Sequence, residues 1–457
     1  MKKVIVILVY LLILASYQEI KAGVVDDLLN LARQHNPSLK YYKHDEQIKK
    51  LLVKEIKSKK GVQLEFSSYL GKERYKSMYR DTVTKNLKYY VASANKPIYI
   101  PGFKHQVKQK EFDVDISKVN YNSQLSFVNA RILLALAKGA IANRKVEILK
   151  ELQKVSKKKI KLYRELLKHK KIPKLLLLEE EQQLLEYKIF ENREKQKLSM
   201  SIQEINTCCG TQLKEIPIDL MDSQESMDSF LKAAEEVRKV NKNGKVIKAL
   251  LQKKQAEEEF KYRRYLRYPK VSLNTYYSYT SSSAISTATR DIRVFLSINI
   301  PLYQGGYVSL ARLEAKEKVL ALEQQKRQEE EDLKLKKNQF VSEIRSLVKE
   351  YKILKSKESI LHETYKLRKE NFLAKKETLI KVLSAKTTLL ENRLSELNTI
   401  EQLVEAYLYL LSATDSARGS FIKPIKELFY EKENTTIYSV NRFNPNLELS
   451  KFRLNNR

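Results

Sequence analysis

Apolar residues recur at every second position in four places along this chain, and at helical spacing over most of the rest. Val62, Leu64 and Phe66 alternate with Gln63, Glu65 and Ser67. Leu87, Tyr89, Val91 and Ser93 form a second alternating run. Val271, Leu273, Thr275, Tyr277 and Tyr279 share one face of a third. In the fourth, Ile292, Val294, Leu296, Ile298 and Ile300 take one face and Arg293, Phe295, Ser297 and Asn299 the other. A period of two marks a strand. The pattern predicts strands over about 61–70, 86–97, 269–279 and 291–302. The polar stretches Gly71–Lys85 and Ser281–Thr289 read as loops.

The helical spacing predicts a helix over Val24–Lys59, broken near Asn36-Pro37, then long helices over 103–169 and 174–207, interrupted at Ile172-Pro173 and ending at Gly210. Gln212–Ser229 reads as irregular. Phe230–Arg267 is helical again with a break at Asn243-Gly244, and two more long helices cover 307–374 and 379–413. The same order therefore occurs twice. Asn36 aligns with Asn243, Val62 with Val271, Pro97 with Pro301 and Pro173 with Thr378 at nearly constant offsets, which reads as internal duplication of a helix–strand–strand–helix–helix unit. The resulting division is a signal peptide (1–22), a first repeat (23–229), a second repeat (230–415) and a C-terminal tail (416–457), with 438–457 rich in Asn and Arg.

Each repeat converts a strand into a long helix through a short turn. After the fourth strand Pro301 supplies a fixed φ, and Gly305 and Gly306 are free to take positive φ. Lys96-Pro97-Ile98-Tyr99-Ile100-Pro101-Gly102-Phe103 is a weaker copy. Pro97, Gly102, Pro301, Gly305 and Gly306 are the candidate strand-to-helix turns.

Lengths narrow the architecture. At 1.5 Å per residue the helices 103–169 and 307–374 each span roughly 100 Å, too long for one globular core and in need of lateral partners. Strands of about 11 residues match a tilted bilayer crossing, and membrane strands must close into a barrel. Four strands fall short of the practical minimum of about eight, so the barrel must be shared between chains, with eight strands from a dimer or twelve from a trimer.

Composition agrees with long helices. The 457 residues include only 10 Gly, 9 Pro and no Trp. The net charge is +32, from 87 Lys and Arg against 55 Asp and Glu, but the lysines are spread and mixed with Glu. They read as solvated helix faces, and with no RNP1, zinc-finger or Walker A pattern nucleic acid is not expected as a partner. Lys2 and Lys3 precede the apolar run Val4–Ala15, and Ala22 before Gly23 is a cleavage point for export. No later stretch reads as a membrane-spanning helix.

Candidate chemistry is sparse. Cys208 and Cys209 are adjacent and read as packing residues at a helix end. His35, His44, His105, His169 and His362 are scattered, so neither zinc nor any other cofactor is expected. Gly305-Gly306 lacks phosphate-loop spacing. Glu179–Glu181 and Glu329–Glu331 are consecutive on helices and read as solvated charge. No catalytic constellation is present, so an enzyme is not expected. Tyr276, Tyr277 and Tyr279, with Tyr89 and Tyr90, read as an interfacial aromatic girdle.

Three elements together resemble the TolC-type outer-membrane efflux family over about residues 24–415. They are Ile298-Asn299-Ile300-Pro301-Leu302-Tyr303-Gln304-Gly305-Gly306 with its copy at 96–102, the helix start Thr378-Leu379-Ile380-Lys381-Val382-Leu383-Ser384-Ala385 followed by Leu389, and the break Asn36-Pro37 echoed at Asn243. The resemblance implies a mainly α fold with membrane β: a homotrimer whose twelve-stranded barrel in outer-membrane lipid continues into a long α-helical barrel across the periplasm. It implies a passive exit duct for efflux or type I secretion, with a periplasmic adaptor (membrane fusion) protein and an inner-membrane transporter as partners. It places the periplasmic aperture at Lys381 and Ser384. Many members carry Asp at the first of these positions and some at the second. Lys170 stands where Gly is usual and Leu176 where Asp is usual, so an acidic gate is not expected. The alternative is a structural or adhesive coiled-coil surface protein, which has no need of duplicated pairs of membrane-length strands.

Overall fold

The computed structural model describes residues 23–77, 80–221, 225–240, 243–282 and 288–431. The segment read as a signal peptide and the Asn- and Arg-rich end lie outside them. In chain order the elements are α1 (Val24–His35), α2 (Pro37–Ser58), β1 (Gln63–Ser77), β2 (Arg80–Tyr99), α3 (Phe103–Lys168), α4 (Lys174–Cys209), β3 (Ile218–Leu220), α5 (Glu225–Lys239), α6 (Gly244–Arg264), β4 (Lys270–Ser282), β5 (Thr289–Asn299), α7 (Tyr307–Leu373), α8 (Leu379–Ala413), α9 (Lys423–Leu428) and β6 (Phe429–Glu431). The chain divides into two compact units, to both of which α3 and α7 contribute.

One unit comprises Tyr42–Tyr121 and Lys245–Glu331. Its centre is an antiparallel sheet of four strands in the order β1-β2-β4-β5. The stretch Gly71–Lys85, expected as a loop, is instead paired: Gly71 faces Leu87 and the ladder continues to Ser77 opposite Arg80. The stretch is charged and shows no apolar alternation, yet its backbone groups pair across the ladder. The strand expected to end at Pro97 runs on to Tyr99. Pro97 sits opposite Ser272 beside a register shift, where a missing backbone N–H is tolerated. Below the sheet His105 Nδ1 meets Glu258 at 2.6 Å, and Gln255 donates to Asp113 at 2.7 Å, tying α6 to α3.

The other unit comprises the segment up to Tyr41 with Asn122–Gly244 and Asp332 onwards. Its core joins Leu28 and Ala32 of α1 to Ile132, Leu136 and Ile141 of α3, Ile205 of α4, Phe230 of α5 and Leu403, Tyr407 and Leu411 of α8. Phe230 and Tyr407 pack edge to face at 5.1 Å. A second cluster of Leu149, Leu152, Val155, Tyr187, Leu383 and Leu390 binds α3, α4 and α8 together. Each such side chain contributes about 1.5–3 kcal/mol of burial. An 18-residue window of α3 is apolar enough to cross a membrane, contrary to the sequence reading, but 72% of it is buried in this core. Gln212–Ser229, expected as irregular, holds β3, which pairs with β6, and the start of α5. Among the described residues, the chain after 415 contains α9 and β6, the latter held by this pairing.

The helix ends use the same devices twice. Asn36 accepts the Ser38 N–H at 3.0 Å through Oδ1 and donates to the Cys208 carbonyl at 3.2 Å. Asn243 donates to the Ala413 carbonyl, and the Gly244 N–H donates to Asp415 Oδ2. α3 and α7 both close on a left-handed lysine, Lys170 (φ 55) and Lys375 (φ 59). The following N–H groups reach back from Lys171 to Leu166 O (2.9 Å) and from Lys376 to Asn371 O (2.8 Å), which satisfies carbonyls left over at each helix end.

Candidate functional site

Strand register decides which side chains share each face of the four-stranded sheet. Leu64, Phe66, Leu70, Leu273, Tyr277, Ile292, Val294, Leu296 and Ile298 fall on one face, and all are exposed. On the other face stand Gln63, Glu65, Ser67, Ser93, Asn95, Ser272, Asn274, Ser278, Ser297 and Asn299. Ser272 and Ser278 are buried. A broad apolar face with no protein cover, backed by a polar one, is the distribution of a sheet between hydrocarbon and water. Both outer strands, β1 and β5, pair on one side only among the described residues. Their free edges carry rows of unpaired backbone donors and acceptors.

The tyrosines divide between the faces instead of forming one girdle, because adjacent residues on a strand point to opposite sides. Tyr90 and Tyr279 lie on the apolar face with ring centroids 6.1 Å apart. Tyr69, Tyr89 and Tyr276 lie on the polar face. There Tyr69 and Tyr89 approach to 5.7 Å, the Tyr89 and Tyr276 hydroxyls hydrogen-bond, and Arg293 pairs with Asp291. Asn95 also donates to Asn274 across β2 and β4 on this face. The alternation alone carried this signal, since Tyr276 and Tyr277 are neighbours in sequence.

The turn glycines occupy the conformations that their sequence positions require. Gly102 has φ 67, and a β-carbon there would meet the Tyr262 ring at 2.6 Å. Gly305 and Gly306 have φ 55 and 80 with open space around them, so their constraint is backbone conformation alone. Pro101-Gly102 and Gly305-Gly306 form the turns themselves, closed by Phe103 N–H to Ile100 O (3.2 Å) and Tyr307 N–H to Gln304 O (3.0 Å). Pro301 follows the end of β5, whereas Pro97 lies inside β2.

Lys381 lies in the first turn of α8. It is exposed, 3.7 Å from Glu377, and its carbonyl accepts a hydrogen bond from Arg368 at 3.3 Å. Ser384, one turn on, is half-buried between the buried Leu383 and Ala385. Among the described residues no hydrogen bond or ion pair joins the exposed Lys381 side chain to Ser384. The sequence reading did not anticipate an ionic cluster formed by α3, α4 and α8. Lys145, 3% exposed, pairs with Glu401, which also meets Lys197 at 3.5 Å. Burial alone would raise the Glu401 carboxyl, but the charges of Lys145, Lys197 and Lys138 and the Lys145 hydrogen bond hold it below the usual carboxylate range. Only contact partners distant in sequence create this cluster, so nothing local marks it.

Cys208 and Cys209 are free thiols, both buried, and the Cys209 thiol donates to the Leu28 carbonyl at 3.4 Å. Burial pushes the Cys209 thiol up to about 12. Among the described residues no three His, Cys, Asp or Glu side chains gather to hold a metal ion. The arrangement is one of surfaces and edges: an apolar-backed sheet with open sides and bundled helices ending in basic turns.

The fold is of the class found in solved outer-membrane channel structures. Residues 241–415 match the family model described as outer membrane efflux protein. The fold is similar to the outer membrane protein VceC of Vibrio cholerae, at 12% identity and a TM-score of 0.70 over 86% of this chain and 96% of that one. It is also similar to the CmeC outer membrane channel of Campylobacter jejuni (13% identity, TM-score 0.67, 90% of each chain). The open MtrE outer membrane channel of Neisseria gonorrhoeae matches at 14% identity and a TM-score of 0.65, over 86% of this chain and 88% of that one. No curated protein matches the chain in sequence.

Proposed function

We propose that this chain is one protomer of an outer-membrane exit duct that passively conducts cargo delivered by an inner-membrane transporter through a periplasmic adaptor protein. The observation that carries the reading is the four-stranded sheet, apolar on one face and open at both β1 and β5. Four strands cannot close on themselves, and unpaired edges are not tolerated in hydrocarbon. Pairing β5 of one copy with β1 of the next satisfies both edges, and three copies give a twelve-stranded barrel with a lumen. The apolar face then meets lipid and the polar face the lumen.

Internal duplication supports the same reading. The cap residues Asn36 and Asn243, the left-handed Lys170 and Lys375, and the turn glycines Gly102 and Gly306 fall at corresponding places in the two halves. Two repeats per chain turn a three-fold assembly into a nearly six-fold one, which suits a closed tube of long helices. The duct needs no catalytic group, and cargo selection falls to the pump and adaptor. Lys381 and Ser384 mark its periplasmic aperture on this reading. A coiled-coil spacer leaves the paired membrane-length strands without a role.

The test is the mass of the purified chain in detergent together with its conductance in a planar bilayer. A trimer with stable open-channel steps is expected. A monodisperse monomer or dimer that never conducts overturns the proposal.

A further inference from the structure

On the apolar face of the sheet three strands end alike. Among the described residues Leu70 of β1, Tyr90 of β2 and Ile292 of β5 are the last apolar or aromatic side chains there, counted away from the turns that lead into α3 and α7. Two residues further along each strand, on the same face, stands a cation: Lys72, Lys88 and Arg290, with Arg74 next after Lys72. All four are exposed, and none has an acidic partner among the described residues. Glu65 and Asp291 fall on the polar face, where Asp291 pairs with Arg293. Register sets the cations on a slope. Arg290 is level with Tyr279 and Tyr90, Lys88 is one same-face row higher opposite Leu70, and Lys72 is a further row up opposite Asn86. The last apolar residues climb by the same two rows, from Ile292 opposite Tyr277 to Leu70. Two rows are roughly 14 Å along the strands, against roughly 14 Å across three strand spacings. The roughly 35–45° tilt of barrel strands brings such a slope level.

We propose that Lys72, Arg74, Lys88 and Arg290 form a belt that binds the phosphate groups of lipid headgroups at the outer edge of the hydrocarbon. The proposal rests on the exit-duct reading, which puts this end of the sheet at the outer surface of the membrane. A lipid phosphate lies just beyond the hydrocarbon, and each strand's first cation lies one same-face step, roughly 7 Å, beyond its last apolar or aromatic side chain. Tyr90 and Tyr279, with ring centroids 6.1 Å apart, occupy the boundary itself, where an aromatic ring meets both hydrocarbon and headgroups. The stems of Lys and Arg lie along apolar surface while their charged ends reach outwards. Each such cation adds attraction to an anionic lipid surface, and Arg grips phosphate through parallel hydrogen bonds. A soluble polyanion or an acidic protein gives no reason for cations to follow the edge of the apolar residues strand by strand. Lys96 is the one other cation on this face among the described residues, and it lies at the helix end of the sheet, opposite Leu273.

The experiment uses the full chain purified in detergent and titrated with dioleoyl phosphatidic acid, with bound lipid counted by native mass spectrometry. One variant carries Lys72→Gln, Lys88→Gln and Arg290→Gln. A control of equal net charge carries Lys54→Gln, Lys59→Gln and Lys96→Gln, three exposed lysines towards the helix end of the sheet. Binding at low salt is expected to weaken at least about tenfold in the belt variant and less than about threefold in the control. Equal losses in the two overturn the proposal, because binding then follows net charge alone. A comparison on wild-type protein needs no variant. Dioleoylglycerol, which has the same chains and no phosphate, is expected to bind at least about tenfold more weakly than phosphatidic acid. Equal affinity for the two lipids overturns the proposal, because the chains alone are then recognised. Displacement of phosphatidic acid by an equal concentration of inorganic pyrophosphate overturns it in favour of a soluble phosphate. Conductance of each preparation in a planar bilayer is the separate check. Normal channels whose lipid binding ignores the three cations reject the belt and leave the duct standing. A folded wild-type protein that never conducts rejects the duct and the outer-surface belt with it.

Discussion

Tyr276 stands directly opposite Arg293 in the sheet, and its neighbour Tyr277 stands opposite Ile292. One residue of register therefore separates the polar face from the apolar one. Leu296 shares the Ile292 face and is exposed there. Leu296→Arg is expected to destabilise the inserted protein by about 2–4 kcal/mol if that side chain lies near the bilayer midplane, less near the interface. Urea unfolding in lipid vesicles measures it. Cysteines at 293 and 297 are expected to react with a water-soluble reagent entering the lumen, and cysteines at 294 and 296 to be protected. The reverse pattern inverts the faces.

Glu401 is the counter-ion of a lysine with almost no access to water. Glu401→Gln leaves the Lys145 ammonium buried with a weakened partner, and a loss of about 3–5 kcal/mol is expected on removing such a charge. The pH dependence has a definite sign. The Glu401 carboxyl is held low in the folded chain, so its stabilisation is present above the unfolded value of about 4.3 and is lost as pH falls through the lower folded value. Acid unfolding of the wild type should therefore steepen below pH 4, and the Gln variant should lack that component. Parallel acid profiles for the two would place the stabilisation elsewhere.

Left-handed Lys375 offers a stability test. Gly adopts φ near 59 without a β-carbon clash, so Lys375→Gly is expected to stabilise the hairpin by about 1 kcal/mol. Hydrogen exchange of the α7–α8 turn and thermal unfolding measure it. An unchanged or lower melting temperature would mean that the lysine side chain contributes contacts that offset its strain.

Much of this architecture was legible because it rests on periodicity. The alternation at Ile292–Ile298 and the long helical runs depend on residues close in sequence, as do Gly102 and Gly306 at their turns. The outer part of the β1–β2 ribbon was not legible, since its strands pair through backbone groups and its sequence does not alternate. The folding of 416–431 was hidden too, because β6 becomes a strand only by pairing with β3 far upstream. Lys381 shows the limit on the candidate site. Its place in the first turn of α8 follows from Thr378, but on the exit-duct reading what faces it comes from neighbouring copies.

Cys209 is expected to be inert in the folded protein. It is fully buried and its thiol is pushed up to about 12 by burial and by the neighbouring Cys208. At pH 8 almost no thiolate forms, and the thiolate is the reacting species. Maleimide should label neither this thiol nor buried Cys208 until the chain is unfolded in guanidinium, when both react. Rapid labelling of native protein would show that the packing of α1 against the end of α4 opens readily.

The periplasmic aperture proposed at Lys381 gives the last prediction. Lys381 lies in the first turn of α8, with its side chain exposed and only a loose 3.7 Å approach to Glu377. On the exit-duct reading three copies of this turn surround one axis, and three ammonium groups crowd the narrow end of the tunnel. Like charges held together resist tight closure, and beside low-dielectric walls they attract anions. Wild-type channels should therefore favour anions over cations in a salt gradient. Lys381→Asp is expected to shift the reversal potential towards cation selectivity and to make the current sensitive to divalent cations, which three carboxylates bind and three lysines repel. Trimeric, inserted Lys381→Asp channels with unchanged selectivity and conductance would place Lys381 on the outer wall, away from the path of the cargo.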